Sequence, residues 1–277
     1  MSFTIRYECG GRLGNCAFPY ALCVLYQILY GYKYVTEKQP NEVCITDDIF
    51  IRHSTEENIK NGILINVPSN IVINGYFQHD VVFKYFLYKI YEFITLNPNQ
   101  VIHTGSNQSF LSNVLIKDVL PSLNVSPTTV VIHLRMEDNI VDKIEKNSPK
   151  FIIHPDDYEL ILKNIKYDKI IWIMNEPKHD IEKKYISYLQ KKYGGEYKPQ
   201  TLEEDMTIMR KAHILVCSRS TLSWISSVFS YNQQKVFMPE KYEDWPHETF
   251  KSIHPDTTYY SYRKATKKDL EYVCNNT

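Results

Sequence analysis

The feature that most constrains this chain is a regular alternation over residues 129–238. Short unbroken apolar runs at 129–134, 169–174, 214–217 and 235–238 are separated by segments of helical spacing at 155–165, 177–192, 202–212 and 221–230. Strands that are apolar on both faces belong in a parallel sheet with helices packed on each side. The fold class is therefore α/β, with a parallel sheet in the C-terminal half. Sheets of this kind bind ligands at the carboxyl ends of their strands, so that is where chemistry is sought.

The N-terminal half reads as a second α/β unit. Residues 3–8 form a strand, followed by the turn Cys9-Gly10-Gly11-Arg12-Leu13-Gly14. Asn15 caps a helix in which Phe18, Ala21, Leu25, Ile28 and Leu29 recur at helical spacing. Residues 63–67 and 70–73 read as strands and 79–94 as a second amphipathic helix. Prolines at 121 and 127, with serines and an asparagine between them, mark the boundary. The expected domains are 1–125 and 126–277.

Charge excludes one class of partner. Thirty-two basic and 32 acidic residues cancel, so no overall field draws the chain to nucleic acid, and any anion site must be local. The six cysteines show no metal-ligand spacing, and Cys16 and Cys23, seven apart, read as small buried hydrophobes on one helix face. No structural zinc is expected. The first residues lack a signal-peptide pattern, and no integral membrane segment is expected. Scattered thiols without a targeting signal suit a cytoplasmic protein of bacterial or viral type.

The strand ends carry the candidate residues. His133 and Arg135 alternate with apolar neighbours at the end of the 129–134 strand, which puts both on one face. Arginine there offers a planar fork to phosphate oxygens, and a neutral histidine can donate to or accept from a base or ribose edge. The plainer alternatives are an interior histidine and an ion pair with Glu137 or Asp138. At Val216-Cys217-Ser218-Arg219-Ser220-Thr221, a strand runs into hydroxyl residues and then a helix. The free amides of a helix start form an anion site, although Ser218 or Ser220 also reads as an ordinary cap. Glu203-Glu204-Asp205 opens the preceding helix, where carboxylates favour the dipole; one of them can also accept paired N–H groups from guanine. Asn175-Glu176-Pro177 borders the same strand ends or is a plain helix start. Asp156-Asp157 reads as first-turn carboxylates rather than as a metal site.

In order along the chain, these pieces resemble the alpha-1,2-fucosyltransferase family, glycosyltransferase family 11. Gly11-Arg12-Leu13-Gly14-Asn15 resembles its G-[GR]-L-G-N signature, and Gly75-Tyr76-Phe77-Gln78 its G-Y-F-Q segment. His133-Leu134-Arg135 with Asp138 resembles H-x-R-R-x-D. Ser218, Ser220, Thr221, Ser223 and Trp224 resemble S-N-S-[ST]-F-S-W-W, and Asp205 stands where the family has an aspartate. The chain departs from these patterns at Met136, where the family has a second arginine, at Cys16, Ala17 and Pro19, and at Ile225.

The resemblance implies a GT-B-like fold, two Rossmann-like halves facing a cleft, with the acceptor on the side of residues 1–125 and the nucleotide sugar on residues 126–277. It implies inverting transfer of fucose from GDP-fucose to a glycan hydroxyl, with no required metal or cofactor. Arg135 would hold the diphosphate, helped by Ser218, Ser220 and Thr221, while His133 and Asp205 would contact guanine and Asn175 would border the donor. Gly11, Arg12, Gly14 and Asn15 would approach the donor from the other half. Arg135 and Asp138 are the candidate catalytic residues, and Asp138, Glu137, Asp142 and Glu8 are all conceivable bases. The alternatives are a transferase for another nucleotide sugar, a non-catalytic carbohydrate-binding descendant, and a nicotinamide-dependent enzyme. The last is disfavoured because G-x-G-x-x-G is absent.

Overall fold

The computed structural model describes residues 3–8, 13–97, 101–103, 109–111, 115–136, 152–230, 232, 234–240 and 252–277. The chain divides into two compact units, Met1–Lys117 with Asp244–Ile253, and Asp118–Glu243 with His254–Thr277. The division comes eight residues before the expected 125/126 boundary. The reason is Lys211, which pairs with Asp118 at 2.8 Å and donates to the Leu120 and Leu123 carbonyls, tying residues 118–123 to the second unit.

The first unit runs β1 (Thr4–Glu8), α1 (Leu13–Tyr30), β2 (Lys33–Tyr34), β3 (Val43–Thr46), α2 (Asp47–His53), α3 (Glu56–Lys60), β4 (Ile71–Asn74) and α4 (Asp80–Leu96). An antiparallel pair follows, β5 (Val101–His103) with β6 (Ser109–Leu111). Its four-stranded sheet has the order β2-β1-β4-β3, and every pair is parallel. Helix α1 is long and apolar enough to cross a membrane by length and composition, but 72% of that stretch is buried within the structure. Pro19 lies inside it and supplies no N–H to the Asn15 carbonyl, a cost of about 3 kcal/mol that the burial of α1 offsets.

Residues 63–67 are not a strand. Their backbone is satisfied by tyrosines of α1 and the turn after it instead. Tyr26 donates to the Ile65 carbonyl and Tyr32 to that of Val67, while Tyr30 donates to the Leu64 carbonyl and accepts from the Leu64 amide. Asn15 is not a cap either, because α1 begins at Leu13.

After β4 the chain turns through Gly75 (φ +146°) and Phe77 (φ +46°). The Tyr76 and Phe77 amides donate to the two carboxylate oxygens of Asp47, at 3.0 and 2.8 Å. A Cβ on Gly75 would lie 2.5 Å from Asp47 Oδ2. Gly75→Ala is therefore expected to destabilise by about 2–4 kcal/mol, read as a fall in the urea midpoint. A midpoint equal to wild type would mean that this turn is not constrained as described.

The second unit runs β7 (Thr129–His133), α5 (Asp157–Leu162), β8 (Lys169–Ile173), α6 (Asp180–Tyr193), β9 (Glu196–Tyr197), α7 (Leu202–Lys211), β10 (Ile214–Val216), α8 (Thr221–Val228), β11 (Lys235–Pro239), β12 (Thr257–Tyr260) and α9 (Lys267–Asn275). Its sheet has the order β12-β11-β10-β7-β8-β9, all parallel. From β7 the chain winds outward to β9, returns to β10 beside β7, and winds the other way to β12. This is the doubly wound order, and β7/β10 is its switch point.

Alternation along β7 sends Val130, Ile132, Leu134 and Met136 into the core shared with α5, α6 and α9. Helix α7 packs on β7 and α8 packs on α7.

Candidate functional site

The switch point brings two of the sequence candidates into contact. The β7–β10 register pairs Val131 with Leu215 and Ile132 with Val216, so His133 and Ser218 come off adjacent strand ends. His133 Nδ1 lies 2.7 Å from Ser218 Oγ, and both residues are buried. Burial, and then the charge of Arg135, push the imidazole pKa down to about 3, so His133 is neutral at physiological pH. Nε2 makes no hydrogen bond among the described residues. Arg135 is half-buried, two residues further on. Met136, in contrast, is 5% exposed within the core. The departure from the second arginine therefore falls on a position that faces the hydrophobic interior.

The start of α8 is tied to the same corner. Ser220 is its N-cap, and Oγ accepts from the Leu222 amide at 3.2 Å. The Ser220 amide donates to the Ser218 carbonyl at 2.8 Å, and Ser223 Oγ reaches the Ser218 and Ser220 carbonyls at 3.3 and 3.1 Å. Trp224 is fully buried, so the serines and the tryptophan that carried the resemblance build this corner and its core. The plain capping role of Ser220 is real. It also places the positive end of the α8 dipole, with Thr221 as the first helical residue, beside the Ser218 corner.

Asp205 and Asn175 belong to a different group. Asp205, in the first turn of α7, is 3% exposed, and its buried Oδ1 has no hydrogen-bond partner among the described residues. Burial, then Glu204, pushes its pKa up to about 7. Tyr197 on β9 reaches one of them and feels the charge of the other. Its hydroxyl is 3.5 Å from the Asn175 carbonyl, and burial, followed by the charges of Asp205, Glu176 and Glu182, pushes its pKa up to about 12. Asn175 itself is exposed. Nothing in the sequence pointed to Tyr197, because β9 is two residues long.

In the first unit, Gly14 is buried in the first turn of α1. Asn15 Oδ1 accepts from Gln78 Nε2 at 3.2 Å, which joins the G-R-L-G-N and G-Y-F-Q segments directly. Gly11, Arg12 and Asp138, like Glu137 and Asp142, lie outside the described residues.

The acidic pair Asp156-Asp157, read as first-turn carboxylates, is engaged by cationic side chains at the start of α5. Asp157, 2% exposed, receives the Arg263 guanidinium at 2.6 and 2.9 Å, and Asp156 pairs with Lys192 at 2.5 Å. Among the described residues no cluster of three His, Cys, Asp or Glu side chains is placed to hold a metal ion. Cys16 and Cys23 are fully buried free thiols.

No family model matches the chain, and no curated protein matches it. Among solved structures it is similar to E. coli heptosyltransferase WaaC with ADP, at 10% identity and a TM-score of 0.41, covering 99% of each chain. The E. coli ADP-heptose lps heptosyltransferase II is similar at 8% identity and a TM-score of 0.40, with 100% of this chain and 99% of that one covered. The Thermosulfurimonas dismutans KpsC beta Kdo 2,7 transferase follows at 11% identity and a TM-score of 0.31, covering 99% of this chain and 90% of that one.

Proposed function

We propose that this chain is a GT-B glycosyltransferase that takes a sugar from a nucleoside-diphosphate donor, with GDP-fucose as donor and a glycan hydroxyl as acceptor. The observation that carries the reading is the 2.7 Å contact between His133 and Ser218 at the switch point, with Arg135 beside it and the α8 start attached to it. Breaking the bond from an anomeric carbon to a diphosphate places negative charge on the leaving oxygen. Arg135 and the positive end of the α8 dipole offset that charge. His133, kept neutral, adds a polar edge without competing as a second cation.

Asp205 supports guanine as the base. A buried carboxylate with one oxygen unpartnered among the described residues suits paired N–H donors, and guanine presents such a pair on its N1–H and N2–H edge. The fucosyl donor, the alpha-1,2 linkage and inversion come from the motif resemblance. On this reading the second unit holds the nucleotide, the first receives the acceptor, and the reaction needs no divalent metal. Buried free thiols suit a reducing, cytoplasmic setting.

Titration with GDP, ADP, UDP, CMP and NAD, followed by nucleotide release from the matching sugar nucleotides, tests this. The expected result is tightest binding of GDP and turnover of GDP-fucose that persists in excess EDTA. Preference for another nucleotide would replace the donor. Loss of turnover in EDTA, restored by manganese, would overturn the metal-free reaction, and NAD binding alone would overturn transfer.

A further inference from the structure

We propose that Ser218 is a positioning residue for the nucleotide. Its hydroxyl donates to His133 Nδ1, which fixes the imidazole proton on Nε2, and that N–H meets an acceptor atom of the bound nucleoside diphosphate. The assignment rests on the transfer reading above and concerns the second unit alone.

His133 closes β7, and Ser218 stands two residues beyond the end of β10. The parallel register sets Ile132 beside Val216, so both residues leave the sheet at the same end of adjacent strands. Their side chains meet at 2.7 Å, with His133 5% and Ser218 3% exposed. Ser218 is held in place by backbone bonds. Its carbonyl accepts from the Ser220 amide and from Ser223 Oγ. The preceding Cys217 donates its amide to the Phe237 carbonyl, and its own carbonyl accepts from the Tyr260 hydroxyl. None of these bonds uses Ser218 Oγ, which leaves the hydroxyl for the imidazole.

The direction of that bond follows from counting protons. Burial, and then the charge of Arg135, hold the imidazole pKa down at about 3, so the ring carries one proton at neutral pH and only one nitrogen can donate. Were Nδ1 the donor, the Ser218 hydroxyl proton would find no acceptor among the described residues. Leaving a buried donor unmatched costs more than an ordinary hydrogen bond gains. With the hydroxyl as donor, its proton and the Nδ1 lone pair satisfy each other. The separation agrees, since hydroxyl donors settle at about 2.7–2.8 Å and N–H donors at about 2.9–3.0 Å.

The ring proton then sits on Nε2, which makes no hydrogen bond among the described residues. Which imidazole nitrogen carries the proton is set by the bond that the other one makes. Phosphate and ribose oxygens and guanine N7 are all acceptors, so an N–H attracts them where a lone pair would repel them. The tautomer therefore decides whether His133 helps or hinders a nucleotide beside Arg135. Ser218 serves the ligand through the imidazole rather than by touching it.

The test reads the tautomer directly. The full chain is labelled with nitrogen-15 histidine, and long-range proton–nitrogen spectra are taken near neutral pH without nucleotide. His133→Gln assigns the His133 signals by their loss. Wild type is expected to show a bare Nδ1 and a protonated Nε2. In Ser218→Ala, which keeps every backbone bond described above, both nitrogens move toward a mixed population. GDP should then bind roughly 3–10-fold more weakly, the loss of one hydrogen bond. His133→Gln carries a carboxamide N–H to about the position of Nε2. With no tautomer left to set, adding Ser218→Ala to it should change GDP affinity by less than about twofold. Guanosine, titrated on the same proteins, locates the acceptor. A Ser218→Ala loss shared by guanosine places it on the base or ribose, a loss confined to GDP places it on the diphosphate, and either supports the assignment.

A proton on Nδ1 in wild type would overturn it, as would an unchanged spectrum in Ser218→Ala. Equal Ser218→Ala losses with and without His133 would make Ser218 a direct contact of the nucleotide and overturn the positioning role. A wild-type chain that binds no nucleotide, with the proton still on Nε2, would overturn the transfer reading and the ligand assigned to Nε2, and leave the serine–imidazole bond standing.

Discussion

Arg135→Ala is expected to lower kcat roughly 10²–10³-fold at saturating donor, the loss seen when one pre-oriented donor to a developing oxyanion is removed. The fold should survive, because Arg135 is only half-buried and leaves the β7 strand before its substitution point; His133, Ile132 and their ladder partners are untouched. One side effect has to be separated from the main one. Arg135 helps keep His133 neutral, so its removal raises the imidazole pKa from about 3. Burial is the larger cause and remains, which leaves His133 neutral at pH 7 and assigns the lost rate to the missing guanidinium. Arg135→Lys should recover little, since a point charge cannot reproduce two parallel N–H donors. Turnover near wild type in the alanine variant, with donor saturating and an unchanged melting curve, would remove Arg135 from the reaction.

The second unit was largely legible because each of its strands 129–133, 169–173, 214–216 and 235–239 is built around an unbroken apolar run, the pattern a doubly covered parallel strand imposes. Boundaries moved by one to three residues at most of these elements, and residues 155–165 shortened to α5 at 157–162. The short edge strands β2, β3 and β9 escaped notice, having too few residues and too much exposed surface to show a period. So did α2, α3 and the C-terminal β12 and α9, which lie outside the alternation.

The opposite failure came at 63–67, where an apolar run looks like a strand but finds its backbone partners in tyrosine hydroxyls. No local pattern can reveal such a remote partner. The site divided in the same way. His133, Ser218 and Ser220 were visible because strand ends are defined by the strands, and their contact follows from the winding. Tyr197 and the contact between Gln78 and Asn15 were not, since they depend on pairs 22 and 63 residues apart in sequence, the first on a strand too short to see.

Asp205→Asn is expected to make the protein more stable above neutral pH while removing its hold on GDP. The folded state raises the Asp205 pKa to about 7 from its ordinary 3.8, chiefly by burial and then by Glu204. A raised folded pKa means that the native state keeps a proton the unfolded chain has released. The contribution to stability is therefore complete below about pH 4 and is lost as pH rises through about 7, at a limiting cost on the order of 4 kcal/mol. Asparagine has no such penalty, though burying its amide adds an offset that does not change with pH. The melting temperature of the variant should therefore rise relative to wild type from about pH 4, with the difference levelling above about pH 7.

Binding runs the other way. Paired N–H donors select the ionised carboxylate, so wild-type GDP affinity should climb with pH up to about 7 and then flatten. The variant should bind GDP roughly 10²-fold more weakly, with asparagine offering one acceptor where two are needed. Titration of the phosphate is common to both proteins and cancels in the comparison. A stability difference independent of pH would show that Asp205 is not a desolvated carboxylate in the native state. Equal GDP affinity in both proteins would take it out of base recognition. Stability given up at a buried, unpartnered oxygen is what a site retained for a ligand looks like, and the two measurements together distinguish that origin from a defect of the core.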